Sequence, residues 1–216
     1  MKLLDGATLD DLVDFTPEIR QMAVEAVEGF RLGPLFTPLS LQGTIFRPSA
    51  GGGANWSGAA VDPETGIFYQ FSFTNPTSLG LVNDPERSDM DFIRGNPAGV
   101  AARDRALTIR GLPLVKPPYK RITAIDLNTG DHAWMIPNGD TPDNIKNHSL
   151  LRDVELPRTG KQSRPMLMVT KTLLFSGEGL SGGPVLRAHD KATGETIAEL
   201  ELPATVTGLP ITSWYQ

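Results

Sequence analysis

The chain has 216 residues, with Lys+Arg 20 against Asp+Glu 25 and a net charge of −5. A nucleic-acid binder presents a basic face, so this balance argues against that class. There is no Cys, which removes disulfides and thiolate metal ligands, and no apolar run approaches the roughly 18–20 residues of a membrane span. Gly 22 and Pro 18 suit a turn-rich β protein.

The opening MKLLDGATLDDL turns acidic at once and is not a charged-then-apolar secretion signal. Thr16-Pro17-Glu18 is a helix start: an N-cap residue, then Pro in the first turn, then an acid at the positive helix end. Ile19, Met22, Ala23, Ala26, Val27 and Phe30 fall at helical spacing, so a helix is predicted over 17–30, stopped by Gly33-Pro34. It is expected to pack on the outside or rim of the strand-rich remainder of the chain. Residues 41–47 (LQGTIFR) read as a strand, and Gly51-Gly52-Gly53-Ala54-Asn55-Trp56 leads into the next.

From there one phrase, Ala-x-Asp-x-x-Thr-Gly, occurs at 60–66, 124–130 and 188–194, evenly spaced by 64 residues. Each copy is flanked by short apolar runs that read as strands, with Asp62, Asp126 and Asp190 placed to accept from turn N–H groups. Gly66, Gly130 and Gly194 supply the positive φ that closes a hairpin. The phrase is therefore architecture. A fixed period with about four strands per unit reads as one β-propeller blade per copy, with loops longer than the usual repeat of about 40–50 residues. Three copies make an arc, since closed propellers have about 4–8 blades.

Between the copies, 74–120 is a loop-rich insertion with an acidic stretch (Asp84, Glu86, Asp89, Asp91) and a Pro-rich stretch at 112–119. Residues 137–164 form a second polar excursion, 166–169 and 173–175 read as strands, and 176–184 is Gly-rich. The end, 211–216 (ITSWYQ), is strand-like and stops without a turn. Met1 opens inside a helical linker, so both ends are read as cuts through a larger protein. The resulting expectation is an all-β partial β-propeller of about three blades with an N-terminal helix: a helical linker at 1–40, then propeller at 41–216.

Several residues carry candidate chemistry. Gly179-Leu180-Ser181-Gly182-Gly183 matches the G-x-S-x-G pattern of hydrolases, but a strand follows where the nucleophile elbow needs a helix. His132, His148 and His189 lie in or beside repeat strands and a polar loop, so a Ser181 hydrolase is a minor reading. The acidic stretch lacks the EF-hand spacing and its Gly. Gly51–Gly53 is not followed by Lys-Ser/Thr, which excludes a P-loop and leaves close approach of a planar group or a strand. Asn55 and Trp56 then form the most interesting pair, able to line a pocket for a planar polar cofactor. Their structural alternative is a Trp between blades and an Asn in a turn.

Trp134, four residues after Gly130, gives A-x-D-x-x-T-G-x-x-x-W, which resembles the tryptophan-docking motif of the eight-bladed pyrroloquinoline quinone (PQQ) dehydrogenases. Long phrases carry a similarity to the quinoprotein glucose dehydrogenase branch: GPLFTPLSLQGTIFRP, GGGANWSGAAVDPETG, GLPLVKPPYKRITAIDLNTG, NGDTPDNIKNH and VTKTLLFSGEG. The resemblance spans 10–215 and implies the C-terminal portion of a periplasmic enzyme that oxidises a sugar or alcohol. It implies PQQ with a calcium ion at the propeller axis, an Asp base, and a quinone or cytochrome as electron acceptor. It also implies that Asn55 contacts the quinone, with Trp56 beside it. The calcium ligands and the Asp base come from blades absent here, so no catalytic or metal residue is assigned to this chain. Gln70 and Ala198 stand where the docking motif prefers Trp. The alternative is a non-catalytic propeller fragment acting as a binding scaffold. Either piece alone would expose unpaired blade faces and favour association with missing blades or with itself.

Overall fold

The structure, a computed structural model, describes residues 6–54, 58–96, 107–161 and 163–211. Helix α1, Pro17–Val27, starts as its sequence requires: Thr16 is extended and its hydroxyl accepts from the Ile19 N–H at 3.2 Å. Ile19, Ala23 and Val27 recur every fourth residue and are buried. The helix stops short of Phe30, whose N–H bonds the Val27 carbonyl in a tightened last turn.

Strands β1 (Thr44–Phe46), β2 (Ala59–Asp62), β3 (Ile67–Phe73), β4 (Thr77–Val82) and β5 (Ile93–Gly95) come next. After them come the short ribbon β6 (Thr108–Ile109) with β7 (Leu112–Pro113), then β8 (Lys120–Asp126) and β9 (His132–Pro137). A four-residue helix α2, Asp143–Lys146, precedes β10 (Arg164–Val169), β11 (Leu173–Leu180), β12 (Val185–Asp190) and β13 (Thr196–Glu201). These strands make two four-stranded antiparallel sheets, β2-β3-β8-β9 and β10-β11-β12-β13, and a smaller one, β1-β4-β5. The all-β propeller architecture with an N-terminal helix is what the repeats led to.

The assignment of one phrase to each blade needs correction. The first two phrases turn two hairpins of the same sheet, because β3 pairs with β8 along seven residues, from Ile67↔Asp126 to Phe73↔Lys120. The intervening insertion leaves that sheet and returns to it. Only the interval from the second phrase to the third crosses from one four-stranded sheet to the next. A sequence period counts turns, whereas pairing decides which turns share a sheet.

The turns themselves are built alike. Gly66, Gly130 and Gly194 have φ of 71°, 79° and 79°, and their N–H groups bond the carbonyls of Asp62, Asp126 and Asp190 at 2.9, 2.7 and 2.9 Å. The Asp side chains accept from Glu64, Asn128 and Ala192 N–H groups, two residues on.

Two cores result. Tyr69, Phe71, Ile122, Ala124, Leu167 and Leu174 fill the seam between the two four-stranded sheets. The other core joins Ile19, Ala23 and Val27 of α1 to Ile109 and Leu112 of the ribbon and to Ile145 and Leu151 beyond β9. The helix thus packs on the insertion and the excursion, and Ala7, Leu12 and Val13 join the same cluster.

Candidate functional site

The two ends of the paired sheets differ in chemistry. β2, β8 and β12 all run toward a phrase turn, so the turns gather at one end. There Lys191, inside the third turn, is a hub. Its carbonyl accepts from the Tyr69 hydroxyl and from the Trp134 indole N–H, each at 3.1 Å. Its ammonium reaches the buried Asp62 carboxylate of the first turn at 2.5 Å. That bond, with a second from the Thr65 hydroxyl, lowers the Asp62 pKa to about 2. Burial, and then the Asp62 charge, push Tyr69 up to about 12, so it remains a donor. A Cβ on Gly194 would meet the Trp134 ring at 2.8 Å, so glycine lets the indole lie on the turn. Trp134 is therefore a docking residue between sheets.

The opposite end is charged. It holds the starts of β8 and β10 (Lys120, Arg164) and the end of β11. Glu178 is 2 % exposed and Arg187 4 %. They pair at 2.6 Å, while Arg187 also reaches Glu199 at 2.7 Å and Lys161 approaches Glu178 at 3.6 Å. Burial pushes Glu178 up, but the Gly183 N–H at 2.5 Å and Arg187 outweigh it and its pKa falls. Burial acts against the Arg187 charge too, and Glu199 and Glu178 prevail and raise its pKa.

Glu178 accounts for Gly182 and Gly183 of the hydrolase-like phrase, and the Arg164 carbonyl for Gly179. A Cβ on Gly182 would strike the Glu178 side chain and carbonyl, and one on Gly179 would strike the Arg164 carbonyl. Ser181 is exposed in the β11–β12 turn at φ 68°, with no histidine hydrogen-bonded to it among the described residues. His189 instead shares a buried bond of 2.9 Å with Ser176 and a second, 3.2 Å, with Thr196. Burial, then Arg187, lower its pKa to about 4, so the ring is neutral and structural. His148 caps the 3-10 turn at Ser149–Leu151 by accepting from the Leu150 N–H.

Asn55 and Trp56 lie outside the described residues, as do residues 212–216. The described part of their Gly-rich approach is a close contact of chain with chain. The Phe73 N–H donates to the Gly53 carbonyl at 2.7 Å, and a Cβ on Gly53 would meet the Phe73 carbonyl at 2.6 Å. That cradle is filled by the protein itself. In the acidic stretch Asp84 pairs with Arg87 at 3.4 Å, and among the described residues no three acidic or histidine groups converge as a metal site. The described residues alone do not fit a planar quinone with its cation, and no reaction step is derived from them.

Sequence reading missed Lys191, Glu178 with Arg187, and the Tyr69 donor. Lys191 and Asp62 lie 129 residues apart and Tyr69 and Lys191 122, while Glu178 and Arg187 are nine apart on the paired strands β11 and β12, so strand register is needed to see each.

Comparison with known proteins bears on the whole length. A family model described as "PQQ: Glucose/ethanol/alcohol dehydrogenase, beta-propeller domain" matches residues 2–216. A probable quinate dehydrogenase (quinone) of Xanthomonas campestris pv. juglandis is 29% identical over 231 residues, covering 96% of this chain and 26% of the relative. A quinoprotein glucose dehydrogenase of Gluconobacter oxydans (strain 621H) is 29% identical over 205 residues, covering 83% and 24%. The chain thus spans about a quarter of the length of these curated relatives. Among solved structures, a quinohemoprotein alcohol dehydrogenase from Comamonas testosteroni superposes with a TM-score of 0.45 at 21% identity, over 78% of this chain and 21% of that one. The match along residues 2–216, on a chain of antiparallel blades joined by a docked tryptophan, places this protein in the PQQ-dependent glucose/ethanol/alcohol dehydrogenase β-propeller family.

Proposed function

We propose that this chain is the C-terminal part of a PQQ-dependent dehydrogenase that oxidises a sugar, an alcohol or a polyol such as quinate. The observation that carries this is the family match along residues 2–216. The names of the relatives, quinate and glucose dehydrogenases, support the substrate range. When bound, PQQ supplies a two-electron acceptor for hydride, with calcium as Lewis acid. Both are held mainly by residues outside this chain, and electrons leave to a quinone or cytochrome, in the periplasm.

The chain's own contribution is the inter-blade lock around Lys191 and, in this reading, a quinone contact from Asn55 with Trp56 beside it. The segment 1–40 serves as a helical linker that caps the insertion, and 41–216 as the propeller portion. The shared core of α1 and the ribbon supports that role.

The test is dye-linked oxidation of glucose, ethanol and quinate by the chain joined to the blades it is proposed to complete, loaded with PQQ and calcium. Dye reduction that requires PQQ and falls at least about tenfold in Asn55→Ala is expected. PQQ-loaded protein that oxidises none of the three substrates would leave the scaffold reading standing.

A further inference from the structure

The long excursion between β9 and β10 plays no part in the lock around Lys191. Connections beyond about 12–15 residues without strands of their own are uncommon unless they serve a function. This one is tied shut at its neck. The Lys161 N–H bonds the Asn138 carbonyl at 2.8 Å, Arg158 donates to the Gly139 carbonyl at 3.1 Å, and the Thr159 N–H bonds the Thr141 hydroxyl oxygen at 3.2 Å. Inside the neck, Ile145 of α2 and Leu151 of the 3-10 turn are each 2 % exposed and fasten the loop to the α1 core.

The loop encloses a cleft of about 500 Å³, within the size range of small-molecule sites. Leu151, Val154 and Leu156 line it with apolar surface, and Val154 and Leu156 pack on the same core. Its charged lining is four cations, Lys146, Arg152, Arg158 and Lys161, against two carboxylates, Asp140 and Asp143. Arg158 is engaged by Asp140 at 3.5 Å and Lys161 by Glu178 at 3.6 Å. The side chains of Lys146, Arg152 and Asp143 are exposed and make no ion pair or hydrogen bond among the described residues. Two cations and one carboxylate are therefore left over on the walls of an apolar cleft whose frame is fixed, as a binding site needs.

We propose that this cleft binds a small hydroxy-dicarboxylate, one carboxylate taken by Lys146, the other by Arg152, and the hydroxyl donating to Asp143. Such a guest matches the three unused groups one for one. Arg holds a carboxylate with a two-donor fork and Lys holds one as a point charge. Asp143 only accepts, so it favours a hydroxyl donor and disfavours a further acceptor such as a third carboxylate. The leucine and valine walls take the carbon chain. The site stands independently of the quinone reading, because it needs no cofactor.

The test uses the full chain at low ionic strength, since salt screens exposed charges, with malate as the probe and succinate and acetate as comparisons. Malate should bind saturably by calorimetry and shift the methyl resonances of Val154 and Leu156. It should bind more tightly than succinate, and succinate more tightly than acetate. Malate affinity should fall at least about fivefold in Arg152→Gln and in Lys146→Gln. Lys171→Gln, which removes the same charge from the β10–β11 turn at the other end of the sheet, should leave it unchanged. Asp143→Ala should erase the preference for malate without weakening succinate. No saturable binding, acetate as tight as malate, malate no better than succinate, or an equal loss in Lys171→Gln would each overturn the proposal. The methyl shifts and the comparison of the three acids are read on the unaltered chain, so the outcome does not depend on the variants folding.

Discussion

Trp134 donates its indole N–H to the backbone carbonyl of Lys191 at 3.1 Å, joining the last strand of one four-stranded sheet to the last turn of the next. Tyr69 shares that carbonyl from the same side, its ring centroid 5.7 Å from Trp134. A carbonyl has two lone pairs, so both donors are satisfied by one acceptor. The lock should be strong because both rings also belong to the seam core.

Trp134→Phe keeps most of the packing and loses the N–H bond, and should cost about 1 kcal/mol. Trp134→Ala should cost about 3 kcal/mol. Gly194→Ala should cost about 1–3 kcal/mol, because its Cβ meets the indole and φ is positive. Urea midpoints at constant slope measure all three. A Trp134→Ala midpoint equal to wild type would refute the docking role.

The Asp62–Lys191 pair sets an acid limit. The Asp62 pKa in the folded chain, about 2, lies below its ordinary 3.8. The unfolded state therefore binds the proton first, and the contribution is complete above pH 4 and lost as pH falls from about 4 to 2. Asp62→Asn should flatten stability across that window while leaving its slope near pH 6 unchanged. Denaturation midpoints from pH 6 to 2 provide the comparison.

His189 acts higher on the same scale. Its folded pKa of about 4 lies below the ordinary 6.5, so the unfolded chain takes up the proton more readily. Stability from the neutral ring is complete above about pH 6.5 and declines as pH falls toward 4. His189→Gln should remove that slope. A ring that titrates at its ordinary value by NMR in the folded chain would contradict the buried bond to Ser176.

The Glu178–Arg187 pair is buried; without Glu178, Arg187 keeps Glu199, and without Arg187, Glu178 keeps Lys161 and the Gly183 N–H. Because those partners remain, Glu178→Gln should cost about 1–3 kcal/mol, and Arg187→Met a similar amount. The double replacement Glu178→Gln with Arg187→Met should cost less than the two singles summed, by about 1–3 kcal/mol. Strict additivity in a double-mutant cycle would show that the two side chains act separately.

Ser181 should stay unlabelled by a fluorophosphonate, since Gly182 and Gly183 make room for Glu178, Gly179 clears the Arg164 carbonyl, and the turn leads into a strand. Mass-spectrometric detection of the adduct at Ser181 would reopen the hydrolase reading.

The sequence on its own determined the local pieces: the helix capped by Thr16, the three Asp-and-Gly turns, the strands beside them and the docking-type spacing from Gly130 to Trp134. These are short-range matters, set by φ preference, capping and alternation within a few residues. Only the tertiary structure decided that β3 pairs with β8, so that two of the three turns share one sheet. It alone brought Lys191 to Asp62, and Tyr69 and Trp134 to the Lys191 carbonyl. Those relations depend on register and on chain segments meeting across dozens of residues, and no local spacing encodes such a meeting.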